Sequence, residues 1–410
     1  MSVTIDLHID SIAAGGDGVG RHEGMVVFVP RTAPGDDVRV RATRHDRLMR
    51  AYTLEVISPS MLRATPACAH YTADRCGGCQ LQHLRYDAQL DAKAGIIRDA
   101  VTRIGSTAAD TPRVIASENP WRYRRKLTLA LRRRDGRWYA GLHRFDAVDE
   151  VFELRDCPIT QEDVLDAWAA VMRQESLLPA AKEGELRGAV RALGSGFSFT
   201  LEGAAAWTTH AQFFAAVPAL EELWWKPQRQ SRRLVQSRGG DRAGASFTQV
   251  NPTVAERLRE CVVQLASARQ PRTAVDAYAG SGDIAVALAA TGTRVTAIEI
   301  DRDAARVCAS RLPVGSRAIA AAVEAALPDA VPADVVVVNP PRAGLDARVT
   351  ELLTRTPPVR GALIYVSCNP ATLARDIRRL TNYRVESLRG FDMFPQTAHV
   401  ETVCELVPAA

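Results

Sequence analysis

At 410 residues the chain exceeds what one ordinary core organises, so two or three domains are expected. An apolar fraction of 47% excludes wholesale disorder, and no apolar run approaches the roughly 18 residues of a membrane span. The net charge of +5 is mild and selects no partner by itself, but arginines gather from Arg39 to Arg50, from Arg122 to Lys126 and from Arg132 to Arg137, which suits a polyanion.

Residues 1–58 read as a small all-β module. VTIDLHIDSI, GMVVFVP, DDVRVRAT and AYTLEVIS have strand character, and the glycines of AAGGDGVGR mark a tight exposed loop. This spacing fits a five-stranded OB-like barrel, a shape often used to hold nucleic acid. The opening MSVTIDLHIDSI carries acidic residues and alternates polar with apolar, unlike a signal peptide, so a cytoplasmic protein is expected, without a membrane anchor or an obligate protein partner.

Residues 59–240 form a mixed α+β central domain. A cysteine-rich loop leads into a helix around Tyr86 to Ile104, followed by strands at RRKLTLALRRR, RWYAGLHR and VFELRDC. A helix near Gln161 to Glu175 and strands near Ala189 to Glu202 come next, and arginine-rich Gln228 to Arg242 reads as an exposed connection. In residues 241–410 apolar runs alternate with amphipathic helices: TAVDAYA, DIAVALAAT, RVTAIEI, RDAARVCASRL, ADVVVVN, ALIYVSC, ATLARDIRRL. Strands this continuously apolar are covered on both faces, which predicts a Rossmann-like, doubly wound α/β domain with ligands at the strand C-terminal ends.

The first of these strands runs into Asp276-Ala-Tyr278-Ala-Gly280-Ser-Gly282-Asp283, and the next closes on Glu299, placed to accept from two ribose hydroxyls. The glycines let the backbone turn and approach a ligand, yet they fit a dinucleotide fingerprint equally well. Asp276, four positions before Gly280, suits a cationic methionine moiety, and the fourth strand ends in Asn339-Pro-Pro-Arg342, a motif of methyl transfer to nucleobases. S-Adenosylmethionine is therefore the expected cofactor.

The fifth strand ends in Tyr365-Val-Ser-Cys368-Asn-Pro370, whose last residues are poor strand formers and mark an exposed turn. An exposed thiol at that edge suits covalent catalysis, because C5 of uracil becomes nucleophilic only after a thiolate adds to C6. A base must then remove the C5 proton, and Glu401 at the start of ETVCELV is the candidate.

Together, Cys76-Gly-Gly-Cys79 with Gln82-His83, Trp121-Arg-Tyr-Arg124, Phe247-Thr-Gln249-Val-Asn251, the glycine loop, Asn339-Pro-Pro-Arg342, Ser367-Cys-Asn-Pro370 and His399-Val-Glu401 resemble the RNA uracil-5-methyltransferase family, in its branch with an N-terminal TRAM (OB-like) module and an iron–sulfur cluster. The resemblance runs nearly end to end. It implies cofactor contacts from Gln249, Tyr278 and Glu299, Cys368 as nucleophile, Glu401 as base, and a place for residue 339 between cofactor and target base. The family usually has Asp where this chain has Asn339; an amide accepts from uracil N3–H and donates to O4, and flipped it would serve cytosine.

Cys68, Cys76 and Cys79, joined by Cys157, would supply four thiolates, a set that suits zinc or a [4Fe–4S] cluster, and the resemblance favours the cluster. Cys261, Cys308 and Cys404 read as core. The run Trp121–Lys126 interleaves rings with charges, as base stacking and phosphate binding require. RNA is the expected partner, ribosomal RNA ahead of transfer RNA. An amino- or cytosine-C5-methyltransferase and a non-catalytic RNA-binding factor are the competing readings.

Overall fold

A computed structural model describes residues 2–181, 184–239, 249–357 and 361–409, organised around three β-sheets. The first holds six strands within residues 2–58, in the order Ser2–His8, Asp37–His45, Leu48–Ser58, Met25–Val29, Gly18–His22, Ser11–Ile12. The sequence reading of five strands is thus corrected. VTIDLHIDSI breaks at Ile9-Asp10, and much of the glycine segment is itself a strand. Its glycines serve close packing: a Cβ on Gly18 would lie 2.0 Å from Thr32 Oγ1, and one on Gly20 2.3 Å from the His8 carbonyl. The Asp10 N–H donates to Val19 C=O at 2.7 Å, bringing the first strand back against this one. Val27, Val29, Val38 and Val40 fill the core between them.

The central sheet has seven strands, ordered Val151–Glu153, Arg137–His143, Lys126–Arg134, Glu185–Ala192, Phe197–Glu202, Leu220–Lys226, Arg233–Ser237. The helix Glu162–Met172 buries Val164, Ala167, Trp168 and Val171, a 3, 4, 7 spacing that makes one apolar face. Trp168 lies on Gly188, where a Cβ would meet its ring at 2.5 Å, and meets Phe199 edge-on at 5.7 Å. The arginine-rich connection departs from expectation. Arg233–Ser237 pairs with Leu220–Lys226 as an edge strand, while residues 240–242 lie outside the described residues.

The third sheet has eight strands: Arg317–Ala320, Arg294–Glu299, Thr273–Ala277, Val335–Val338, Ala362–Ser367, Glu401–Pro408, Tyr383–Phe391, Arg113–Ile115. The first five are parallel, and Glu401–Pro408 runs antiparallel to both its neighbours. Val335–Val338 is buried at every position, as helices on both faces require. The helices Pro252–Ser267 and Pro370–Arg379 start alike, with an Asn side chain accepting from the first turn and Pro at the first helical position. The second device lies directly after Cys368. The outermost strand, Arg113–Ile115, comes from the N-terminal half of the chain, as does helix Tyr86–Arg103, which packs on Pro370–Arg379. Among the described residues, no helix is long and apolar enough to cross a membrane.

Candidate active site

The parallel strands end level with one another. Ala277 faces Ile298 on one side and Val338 on the other, and Val338 faces Tyr365. Asp276, Glu299, Asn339 and Cys368 therefore gather along one sheet edge. Past Ala277 the chain turns sharply through positive φ at Tyr278 (64°), Gly280 (57°) and Gly282 (86°). Gly282 is obligatory on a second count, because a Cβ there would sit 2.3 Å from Cys308 Sγ. A Cβ on Gly280 would meet nothing within 4 Å, so that side of the loop is open.

Glu299 is aimed by backbone donors. Its carboxylate accepts from the Gly280 and Asp301 N–H groups, both at 2.8 Å, leaving lone pairs on each oxygen. Asp276 is 1% exposed and its oxygens make no well-formed hydrogen bond, so burial pushes its pKa up to about 7, opposed by the nearby Ala285 N–H and assisted by the charges of Asp283 and Glu299. Asp283 itself pairs with Arg311 at 2.7 Å. Asn339, half-buried, donates its backbone N–H to Ala277 C=O at 3.1 Å, which sets it beside Tyr278. Gln249 is half-buried two residues before the helix cap Asn251, whereas Phe247 and Thr248 lie outside the described residues.

Cys368 is the first residue past its strand and half-buried. The turn is fixed locally: Ser367 Oγ accepts from Asn369 N–H (3.1 Å) and Asn369 Oδ1 from Ala371 N–H (3.1 Å). Ser367 pairs with Thr402 across the antiparallel ladder, which places Glu401 beside Cys368. Glu401 is 7% exposed, and burial raises its pKa to about 7, with Arg342 pulling the other way. The Cys368 thiol is pushed up by burial first and then by Glu401, while Arg342 opposes. The three groups thus share one electrostatic environment. Sequence reasoning treated Arg342 as a motif letter and missed this role.

It also missed the bracket that holds the Asn339–Arg342 loop. Asp376, fully buried, accepts from Tyr365 O–H (2.9 Å) and Leu345 N–H (2.8 Å). The close approach explains Gly344, whose φ is +79° and whose Cβ would lie 2.5 Å from Asp376 Oδ2.

A cavity of about 560 Å³ opens beside this centre, lined by Cys68, Cys76, Cys79 and Cys157 on one side and by Arg342, Phe394 and His399 on the other. All four cysteines are buried and free. Burial raises Cys76 to about 11 and Cys79 to about 12, each assisted by its neighbouring thiols. The set is braced from several directions. Gln82 Oε1 accepts from Cys68 N–H (3.3 Å), and Arg122 reaches the Cys157 and Thr160 carbonyls (both 3.1 Å). Arg31, in the turn just past strand Met25–Val29, caps Tyr71 at 3.8 Å and donates to Cys76 C=O at 2.9 Å. The donor chemistry fits a four-thiolate group. Among the described residues, no three or more His, Cys, Asp or Glu side chains form a group that could hold a metal ion. Cys261, Cys308 and Cys404 are buried core residues, as expected.

Within the Trp121–Lys126 run, the structure leaves Trp121 half-buried but removes Tyr123 as a stacking ring. Tyr123 is 5% exposed and its O–H donates to Pro395 C=O at 3.0 Å, so its ring is interior. Arg122 is taken up by Asp156 at 2.9 Å. Other clustered arginines are also neutralised, Arg39 by Asp6, Arg132 by Glu185 and Arg137 by Glu175. Arg124, Arg187 and Arg342 line the cavity and form no ion pair among the described residues.

Residues 325–407 match the model of the tRNA (uracil-5-)-methyltransferase family, and residues 3–47 match the TRAM domain. An uncharacterized RNA methyltransferase of Thermosynechococcus vestitus is 31% identical, with 98% of each chain covered. One of Halalkalibacterium halodurans is 30% identical, with 98% of this chain and 96% of the relative covered. Among solved structures, a Pyrococcus abyssi tRNA (uracil-54, C5)-methyltransferase in complex with S-adenosyl-L-homocysteine aligns with a TM-score of 0.73 at 25% identity, covering 98% of this chain and 99% of that one. The chain belongs to the RNA uracil-5-methyltransferase family. The methyltransferase is S-adenosylmethionine-dependent, and its C-terminal family match spans Asn339, Cys368 and Glu401.

Proposed function

We propose that this methyltransferase modifies C5 of a uridine in RNA through a covalent adduct between Cys368 and C6. The observation that carries the reading is the juxtaposition of a half-exposed thiol and a buried carboxylate at one end of two paired strands, with Arg342 between their fields. S-Adenosylmethionine supplies an electrophilic methyl group on its sulfonium. The Cys368 thiolate adds to C6, and the C5=C6 electron pair moves onto the C4 carbonyl as an enolate. The enolate's C5 takes the methyl, leaving the sulfonium's bonding pair on sulfur. Glu401 then accepts the C5 proton, the C5–H pair restores C5=C6, and the C6–S bond breaks to return the Cys368 thiolate. Arg342 favours the thiolate. Asn339 would hold N3–H and O4 of the uracil.

Tyr278, Gly280, Gly282, Asp283, Glu299 and Gln249 would form the cofactor site, with Glu299 on the ribose and Asp276 towards the methionine cation. No side chain pairs with Asp276 and its oxygens make no well-formed hydrogen bond, which supports that role. Asp276→Asn should weaken S-adenosylhomocysteine binding by about 10- to 100-fold, the worth of a charge-assisted hydrogen bond. Wild-type affinity should rise with pH through about 7 as Asp276 ionises, and calorimetry at several pH values should find the variant flat there.

Cys68, Cys76, Cys79 and Cys157 would hold a [4Fe–4S] cluster, in a structural or RNA-positioning role. Cys79→Ser should remove the brown absorbance of anaerobically purified protein; a colourless, zinc-loaded wild type would refute the cluster. We take residues 1–58 as an OB-like RNA-binding unit, 59–240 as the cluster unit and 241–410 as the methyltransferase unit, in a cytoplasmic monomer.

The four-thiol set beside a TRAM module favours ribosomal RNA, whereas the Pyrococcus abyssi neighbour is named for transfer RNA. Tritium release from [5-³H]uridine RNA, with ribosomal and transfer transcripts assayed separately, tests reaction and substrate together. Methyl incorporation without release would move the target to cytidine C5 or a base nitrogen, and Asn339 would be re-examined first.

A further inference from the structure

We infer that the general base, whose backbone its own sheet places through the pairings of Phe391 with Glu401 and Ser367 with Thr402, is locked from the other side by a latch of residues 80–93 and Tyr123 whose positioning residues are Lys93 and Gln89; the inference rests on Glu401 being the base. Residues 392–400 lead from strand Tyr383–Phe391 into Glu401, and most of what fixes them comes from the N-terminal half of the chain. Lys93, with no exposed side-chain surface, donates its Nζ to the equally buried Asp392 carboxylate and to Phe394 C=O at 3.0 Å. The other Asp392 oxygen accepts from Tyr86 O–H at 2.8 Å. Gln89 and Gln396 exchange two hydrogen bonds, both at 3.0 Å. Gln396 C=O accepts from the Gln80 and Leu81 N–H groups at 3.2 and 2.9 Å, immediately after Cys79, and Pro395 C=O accepts from Tyr123.

Two features distinguish this from ordinary packing. Gln396 stands at φ 71°, a left-handed conformation unfavourable to an L side chain, and the reciprocal amide pair over-determines it. A fully buried Lys–Asp pair adds little stability over apolar residues of similar size, while its geometry is demanding. Cys368, by contrast, is held by the hydrogen bonds of Ser367 and Asn369; the helix that follows it packs on Tyr86–Arg103, but the Lys93 and Gln89 side chains direct their hydrogen bonds to Asp392, Phe394 and Gln396 instead. The latch hydrogen bonds therefore bear on the segment that leads into Glu401 and not on the Cys368 turn, where addition takes place. Release needs Glu401, which takes the C5 proton while the C6–S pair returns to Cys368.

Loosening the latch should thus stall the reaction after the methyl has moved. The test uses the full chain with two variants, Lys93→Met/Asp392→Leu, which removes the pair without stranding a charge, and Gln89→Leu, which leaves that pair intact. RNA carrying 5-fluorouridine reports adduct formation alone, since C5 bears no removable proton; RNA carrying uridine reports release. Expected are wild-type levels of fluorouridine adduct and S-adenosylhomocysteine affinity within about twofold, with release slowed about 10- to 100-fold and methylated uridine adduct visible on denaturing gels. Release within about twofold of wild type in both variants would overturn the inference, as would equal losses in formation and release in whichever variant keeps its cofactor affinity. Absence of the fluorouridine adduct in the wild type would instead overturn the covalent mechanism.

Discussion

Cys368→Ala is expected to abolish methylation, with a loss of roughly 10⁴-fold or more, while S-adenosylhomocysteine affinity stays within about twofold. The magnitude follows from the chemistry, since without a nucleophile at C6 the C5 carbon has no enolate to attack with. The specificity follows from position. Cys368 leaves its strand at Ser367, and the proposed cofactor residues Asp276, those of the glycine loop and Glu299 lie on or just after other strands. Radiolabelled methyl transfer and calorimetry on one preparation separate the two effects. Undiminished transfer would sink the covalent mechanism, and lost affinity would mean that the thiol also shapes the cofactor site.

The second large effect concerns Glu401. Glu401→Gln should still form the adduct but release it about 10²- to 10⁴-fold more slowly, the range expected for loss of a general base. The pH dependence has a definite sign. A base works only when ionised, so with a pKa near 7 release in the wild type should rise with pH through that value. The Cys368 thiol is raised partly by the Glu401 charge, so the neutral amide should let the thiolate form at lower pH. Adduct formation in Glu401→Gln should therefore move towards acid while release fails. An unmoved formation profile would show that the two groups do not sense one another.

The strands of the methyltransferase sheet were legible where they are apolar on both faces, as in Val335–Val338. Tyr383–Phe391 was not, because its exposed and buried positions mix without a clear period. Gly18–His22 was mistaken for a loop because its glycines signal flexibility in sequence but close approach in space. The clustering of candidate residues at the strand tips was legible where Ser, Asn and Pro interrupt apolar runs. The Arg342 field was not, nor the Lys93–Asp392 pair, whose partners lie 299 residues apart and are joined only by tertiary packing. Within the Trp121–Lys126 run, spacing does not reveal that the Tyr123 ring faces inward.

The strand Arg113–Ile115, paired with Tyr383–Phe391, also bears on how the molecule is made. During synthesis the early strand waits until nearly the whole chain has emerged, so completion of the sheet depends on contacts far apart in sequence and belongs to a late, slow stage of folding. Until that joint closes, Tyr383–Phe391 presents unpaired N–H and C=O groups along an open edge, a template for pairing with other chains. The methyltransferase sheet is consequently not portable: cut away at residue 249 and grafted elsewhere, it would take an aggregation-prone border with it.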